Sequence, residues 1–63
     1  MKLAALRIKS GESQIELARA IGTTQGMVSE YESGRHVPGV RVAGKLAAHY
    51  GVTIEELFGG GTK

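Results

Sequence analysis

The sequence predicts an all-α fold, one compact domain built from five short helices. Apolar residues recur at the three- and four-residue spacing of helix faces, and no segment has the alternating pattern of a strand. Glycine residues and the single proline separate the periodic segments. A chain of 63 residues holds one small core, so we expect modest stability unless the domain associates with a second copy of itself.

Composition limits the possible functions. The chain has no cysteine, which excludes disulfides and thiolate metal sites. No apolar run reaches the roughly 18 residues of a membrane span, and no secretory segment is present, so we expect a cytoplasmic protein. The formal net charge of +2 permits a polyanionic partner without requiring one.

The first helix is predicted within residues 1–9, because apolar residues there have helical spacing and Ser10 and Gly11 follow as a stop signal. This apolar set consists of Leu3, Ala5, Leu6 and Ile8.

A second and a third helix are predicted between Ser13 and Glu32, joined by a three-residue turn. Ser13 and Glu16 have the spacing of a capping box, which opens the second helix. Gly22 can take the left-handed conformation that ends it, and Thr24 can cap the third helix. Two sets of apolar residues, each spaced i, i+1, i+4, would pack these helices together: Leu17, Ala18 and Ile21, then Met27, Val28 and Tyr31.

Two more helices are predicted after a loop at residues 33–39. The fourth should start near Gly39 or Val40 and end at His49 or Tyr50, before Gly51. Its expected inner face consists of Val40, Ala43, Leu46, Ala47 and Tyr50.

Thr53 and Glu56 form a second capping box, which opens a short last helix. We expect Ile54, Leu57 and Phe58 of this helix to close the core. The domain is therefore predicted to cover residues 1–58, followed by a flexible tail at 59–63.

Residues spread over almost the whole chain match a known family in type and spacing. They are Ser13-Gln14, Glu16-Leu17-Ala18, Ile21-Gly22-Thr23-Thr24, Val28-Ser29, Tyr31-Glu32, Gly34, Pro38, Leu46-Ala47, Gly51-Val52 and Glu56-Leu57-Phe58. In this pattern the chain resembles the lambda repressor and Cro type (XRE-like) of helix-turn-helix domain. The resemblance implies a five-helix DNA-binding domain without a cofactor. Such domains usually act as dimers on partly palindromic operators in transcription regulators, including repressors.

The third helix would be the recognition helix, covering about residues 25–33. Its exposed face has no apolar residue to bury, and Gln25 at its start can pair bidentately with adenine in the major groove. The resemblance implies base contacts from Gln25, Gly26 and Glu30, and Ser29 is a further candidate. Gly26 departs from the family by bringing no side chain, which either reduces readout or lets the backbone approach closely. Glu30 could accept from a cytosine or repel phosphates at wrong sites.

Phosphate contacts are expected from two regions beside the recognition helix. Gln14 starts the second helix, where free backbone amides favour an anion, and the resemblance implies that it grips the DNA backbone. Thr24 lies at the start of the third helix. Arg35, His36 and Arg41 flank the loop after that helix and could reach the sugar-phosphate backbone.

Other residues are assigned structural roles through the resemblance. It implies an ion pair between Arg7 of the first helix and Glu32 at the end of the recognition helix. It also implies a dimer surface around Val52 and Phe58.

Two residues depart from the family in ways that lower the expected stability. Glu12 replaces a common apolar residue, and Gly44 replaces a bulkier core residue.

An alternative function remains open at this point. The helical fold could serve as a protein-interaction module that binds a partner such as a toxin, through its exposed helix or through an apolar patch around Ile15 and Phe58. The two histidines, His36 and His49, lack metal-ligand spacing, and no serine and carboxylate accompany either on its own element as a triad would need. We therefore expect no enzyme activity, no metal and no cofactor.

Overall fold

Local signals place each helix of the computed structural model, which describes residues 1–59. The helices are α1 (Leu3–Ser10), α2 (Gln14–Ile21), α3 (Gln25–Ser33), α4 (Val40–Tyr50) and α5 (Ile54–Leu57). The predicted all-α fold of five helices is confirmed. No helix within residues 1–59 is long and apolar enough to cross a membrane.

Both predicted capping boxes are present. Ser13 Oγ accepts from the Glu16 amide at 3.0 Å, and a Glu16 carboxylate oxygen accepts from the Ser13 amide at 2.8 Å. Thr53 and Glu56 repeat these distances at the start of α5. Gly22 ends α2 at φ 76°, in the left-handed region that a residue with a Cβ adopts only with strain. This turn and the Thr24 cap bring α3 back across α2.

The core lies where α2 and α3 pack together, with α4 against α2, α5 against α4, and α1 against α3. Within each helix the buried residues keep helical spacing, as predicted for α2 and α3. The buried cluster comprises Leu3, Leu17, Ala18, Ile21, Val28, Tyr31, Ala43, Leu46 and Leu57. Met27, Leu6 and Tyr50 pack against it from its edge.

Several apolar side chains of the predicted helix faces lie outside the core. Val40 is 81% exposed because it opens α4, and its Cβ points toward the helix N-terminus, past the elements that α4 packs on. Helix α5 is a single turn that buries Leu57, so Ile54 and Phe58 flank the core instead of closing it. In α1, Leu3 supplies the buried contact and Ile8 is exposed.

The start of α1 and the end of α5 meet. The Lys2 amide donates to the Leu57 carbonyl at 2.7 Å. Gly59 lies in the turn that follows α5, where its amide donates to the Glu56 carbonyl at 3.0 Å. The rest of the predicted tail, residues 60–63, lies outside the described residues.

Candidate nucleic-acid interface

Helix α3 presents the four predicted base-contact residues on one exposed face. They fall on adjacent turns of the helix and border an open groove of about 450 Å³. The residues lining this groove are Gln25, Gly26, Ser29, Glu30, Ser33 and Arg35. Because all six are polar or glycine and exposed, the face offers donors and acceptors and no apolar surface.

The Gln25 side chain is held by a neighbour on α2. Its Nε2 donates to Gln14 Oε1 at 2.8 Å. A glutamine amide has two N–H donors and one carbonyl oxygen, so one N–H and the carbonyl of Gln25 stay available. These two groups are the pair that reads adenine bidentately in the major groove.

Gln14 is itself anchored on a carboxylate. Its Nε2 donates to Glu32 Oε1 at 3.0 Å, so the two glutamine side chains and Glu32 form a continuous line of hydrogen bonds from α3 through α2 and back to α3. The sequence predicts Gln14 and Gln25 at the first positions of their helices but does not predict the bond between them. The structure thus adds a positioning contact to the phosphate contact predicted for Gln14.

The line ends in the pair of Arg7 and Glu32. Arg7 Nε donates to Glu32 Oε2 at 2.6 Å, and Nη2 donates to Oε1 at 3.3 Å. The side chains are 15% and 9% exposed, so the pair is largely shielded from water. Burial opposes ionisation of Glu32, but the hydrogen bonds from Arg7 and Gln14 and the arginine charge outweigh it and lower the pKa of that carboxyl. The bond to Glu32 also raises the pKa of Arg7, so both partners stay charged.

Arg7 continues to the loop before α2. Its Nη1 donates to the backbone carbonyl of Glu12 at 2.8 Å. One guanidinium therefore holds α1, the loop after it and the end of α3 in a fixed relation. The Arg7 guanidinium thus ties the C-terminal end of α3 to α1 and to the loop before α2.

The predicted phosphate-contact residues separate into different surroundings. Thr24 caps α3, its Oγ1 accepting from the Met27 amide at 3.2 Å. Arg35 borders the α3 groove. Arg41 is exposed in the first turn of α4. His36 does not line the α3 groove. Its ring centroid is 6.0 Å from that of Tyr31, and its Nδ1 is 3.9 Å from Glu30 Oε1.

A smaller apolar groove lies on the side to which His36 turns. It has a volume of about 130 Å³, and Phe58, Met1 and Val37 line it together with Tyr31, Gly34, His36 and Pro38. Phe58 is 39% exposed, whereas Val52 is half-buried against the core. Ile15, the other residue of the alternative patch, is exposed on α2.

A second carboxylate cluster, which the sequence does not predict, is centred on Glu12. Tyr50 Oη donates to Glu12 Oε1 at 2.7 Å, and His49 Nε2 lies 2.5 Å from Oε2. Burial opposes ionisation of Glu12, but bonds from Tyr50, His49 and Ser10 outweigh it and lower the pKa of Glu12. Burial, reinforced by the bond to Glu12, raises the pKa of Tyr50. Across residues 1–59, no three histidine or carboxylate side chains form a group that could hold a metal ion.

Comparison with known proteins gives a consistent result. A helix-turn-helix family model matches residues 3–57. An HTH-type transcriptional regulator of Archaeoglobus fulgidus is 33% identical over 57 residues, covering 90% of this chain and 81% of that protein. Regulators of the same description from Methanocaldococcus jannaschii and Bacillus subtilis are each 32% identical over 57 residues, covering 90% of this chain and 86% of theirs. No solved structure gives a significant match.

Proposed function

The chain belongs to the lambda repressor and Cro type of the helix-turn-helix family of DNA-binding transcriptional regulators, and we propose that it binds double-stranded DNA sequence-specifically through α3. The recognition helix, Gln25–Ser33, would lie in the major groove with its N-terminal turn against the base edges. Occupancy of a promoter would then repress transcription. Such a regulator acts where the chromosome lies, in the cytoplasm and on the nucleoid when bound.

The observation that carries this proposal is the orientation of the Gln25 amide. Its bond to Gln14 fixes the side chain before DNA arrives, so less rotational entropy is lost when a base is bound. The free N–H and carbonyl are then presented together to adenine N7 and N6. Ser29 and Glu30, one turn later, extend the readout along the groove.

The phosphate contacts are proposed for residues around this helix. Arg35 borders the α3 groove, and Arg41 and Thr24 lie exposed at the starts of α4 and α3. Gln14 would contact a phosphate at the N-terminus of α2 while it still holds Gln25. His36 would reach the backbone only after it turns away from Tyr31.

The active form is proposed to be a homodimer on a partly palindromic operator. Two recognition helices would then enter successive major grooves about 34 Å apart. The apolar groove around Phe58, with Met1 and Val37 beside it, supports a contact between copies on this side, and Val52 would contribute from the loop before α5. Phe58→Asp should halve the mass measured by sedimentation at a concentration where the wild-type chain is dimeric.

The test of sequence-specific binding is selection of bound duplexes from a random pool, followed by affinity measurements on the selected site. Gln25→Ala should lose discrimination at one base pair, by roughly 5- to 100-fold, and leave the other positions unchanged. Arg35→Ala should weaken binding to every sequence and reduce the slope of log affinity against log salt by about one. Arg19→Ala is the matched control. It removes the same charge as Arg35→Ala, but Arg19 borders a different groove, between α2 and α4.

Two results would contradict the proposal. One is weak binding that does not change with salt, which would favour the protein-interaction module with Ile15 and Phe58 as its surface. The other is a selected pool without a preferred sequence. In that case the domain would bind DNA only through basic side chains outside α3, such as Arg35 and Arg41.

A further inference from the structure

The groove that Arg19 borders, between α2 and α4, is open and has a volume of about 630 Å³. The residues that line this α2–α4 groove are Arg19, Ala20, Ile21, Gly22, Lys45, Ala48 and His49. Among the residues that the structure describes, this lining shares no member with the α3 groove or with the apolar groove around Phe58.

The α2–α4 groove lies on a different side of α2 from the proposed DNA contacts. Gln14 reaches Gln25 of α3 with its side chain. Arg19 follows Gln14 by five residues of the same helix, so their side chains leave α2 about 140° apart around its axis. A partner in the α2–α4 groove would therefore not cover the exposed face of α3.

The α2–α4 groove carries a net positive charge. Arg19 and Lys45 are exposed, and within residues 1–59 neither forms an ion pair with a carboxylate. Glu12, which contacts His49 of the lining, is also bonded to Tyr50. The C-terminal end of α2 adds a partial negative charge of about one half, which the two full positive charges outweigh. The groove therefore attracts an anionic group.

Apolar side chains belong to the same lining, and they limit which anionic partner fits. Ala20 and Ala48 are exposed, and Ile21 borders the groove from the core. A phosphate group or a DNA backbone would neutralise the cations but would offer the methyl groups no apolar contact. A peptide with an apolar side chain beside its carboxylates would satisfy both parts of the lining. The volume is also that of a site for a ligand of many atoms.

We propose that the α2–α4 groove binds an acidic peptide segment of a partner protein. Arg19 and Lys45 pair with carboxylates of this segment, and Ala20 and Ala48 contact an apolar side chain near them. The site is separate from the Ile15 and Phe58 patch of the alternative function. It does not depend on the DNA binding proposed above, and it is compatible with DNA bound at α3.

The test starts with selection from a random-peptide library displayed on phage, with the full chain as the target. The counter-target is the double variant Arg19→Glu with Lys45→Glu, which reverses the charge of two exposed side chains. Its melting temperature should stay close to that of the wild-type chain. The selected peptides should carry several aspartates or glutamates around an apolar residue. A synthetic peptide of the consensus sequence should shift the NMR amide signals of residues 19–22 and 45–49.

Affinities for this consensus peptide then measure the contribution of each cation. Arg19→Ala and Lys45→Ala should each weaken binding about two- to fivefold, as expected for an exposed ion pair. The double charge reversal should weaken it at least about tenfold, because attraction becomes repulsion. Arg35→Ala is the matched control, since it removes the same charge from the α3 groove, and it should bind the peptide as the wild-type chain does.

Three results would overturn the proposal. One is a selection that enriches no acidic peptides. Another is a consensus peptide that binds the double variant as tightly as the wild-type chain, which would place its site outside the α2–α4 groove. The third is a loss of DNA affinity in Arg19→Ala or Lys45→Ala as large as that in Arg35→Ala, because the groove would then belong to the DNA contact.

Discussion

Glu32 and Glu12 are the centres of two hydrogen-bonded clusters that have similar chemistry but connect to different parts of the domain. Both residues contact Arg7, Glu32 through its carboxylate and Glu12 through its backbone carbonyl. The Glu32 cluster continues through Gln14 to Gln25 on the exposed face of α3. The Glu12 cluster continues to His49 and Tyr50 at the end of α4.

The difference between the two clusters shows that Arg7 contributes both to the stability of the domain and to the position of side chains on α3. Bonds on the Glu12 side fix the loop between α1 and α2 against α4, so they contribute stability. Bonds on the Glu32 side also orient a side chain that we propose to contact a base. We therefore expect changes at Glu32 to affect both stability and DNA binding, and changes at Glu12 to affect stability alone.

The largest effect is expected from Glu32→Ala. This change leaves the Arg7 guanidinium shielded from water without its carboxylate partner and frees Gln14 from its anchor. The melting temperature should fall by roughly 10 °C. At a temperature where the variant is folded, affinity for the selected operator should fall roughly tenfold, because Gln25 loses its fixed orientation.

Glu32→Gln is the accompanying variant, because it keeps the shape of the side chain and removes the charge. It should retain part of the stability and most of the affinity. An unchanged melting temperature in Glu32→Ala would show that the pair contributes nothing to the fold, and the distinction between the two clusters would be lost.

Acid should weaken both clusters together. The pKa of Glu32 and that of Glu12 are lowered in the folded chain from an ordinary value of 4.5. Between the lowered values and 4.5 the unfolded chain binds more protons, so stability rises with pH across this window. The contribution is complete above about pH 5.5 and is lost as the pH falls through the folded pKa values.

Melting temperatures measured from about pH 7 to about pH 3 test this prediction. Glu32→Gln and Glu12→Gln should each flatten the acid side of the curve, and the double variant should flatten it most. If the melting temperature fell equally steeply with acid in the wild-type chain and the three variants, other carboxylates would cause the fall.

A smaller effect is expected from Glu12→Ala. This change removes the hydrogen bonds to Tyr50, His49 and Ser10 but keeps the backbone carbonyl that Arg7 contacts. The melting temperature should fall by about 5 °C, while the affinity of the folded chain for the operator stays that of the wild type. A loss of affinity comparable to that of Glu32→Ala would mean that both clusters influence the exposed face of α3.

The smallest effect on stability is expected from Gln14→Ala, which breaks the line between Glu32 and Gln25 but leaves the Arg7–Glu32 pair in place. The melting temperature should stay nearly constant, while affinity for the operator falls roughly three- to tenfold. A double-mutant cycle with Gln25→Ala measures the dependence of one glutamine on the other. The two losses should not multiply, and fully multiplicative losses would show that the glutamines act independently.

The sequence predicts the parts of this structure that short-range chemistry determines. Ser13 with Glu16, and Thr53 with Glu56, are capping pairs three residues apart, so each can be recognised without knowing where the rest of the chain lies. Gly22 and the apolar spacing around it similarly fix the turn between α2 and α3. The family resemblance then supplied the pairing of Arg7 with Glu32 across 25 positions of sequence.

The remaining features depend on where helices lie relative to one another. Val40 has the correct spacing for the inner face of α4, yet it extends beyond the helices that this face covers. The contacts of Glu12 with residues 49 and 50 join segments far apart in the chain, and no periodic pattern marks them. The bond between Gln14 and Gln25 likewise depends on how α3 crosses α2, which the spacing of apolar residues does not determine.

The hydrogen bond between the Lys2 amide and the Leu57 carbonyl places the start of α1 next to the end of α5. When the two ends of a folded segment are adjacent, a short linker can join them and the chain can be reopened elsewhere. The loop at residues 34–39, between α3 and α4, is the natural place for new ends, because most of its residues are exposed. A circular permutant opened there would keep α2 and α3 consecutive, and with them the line from Arg7 to Gln25.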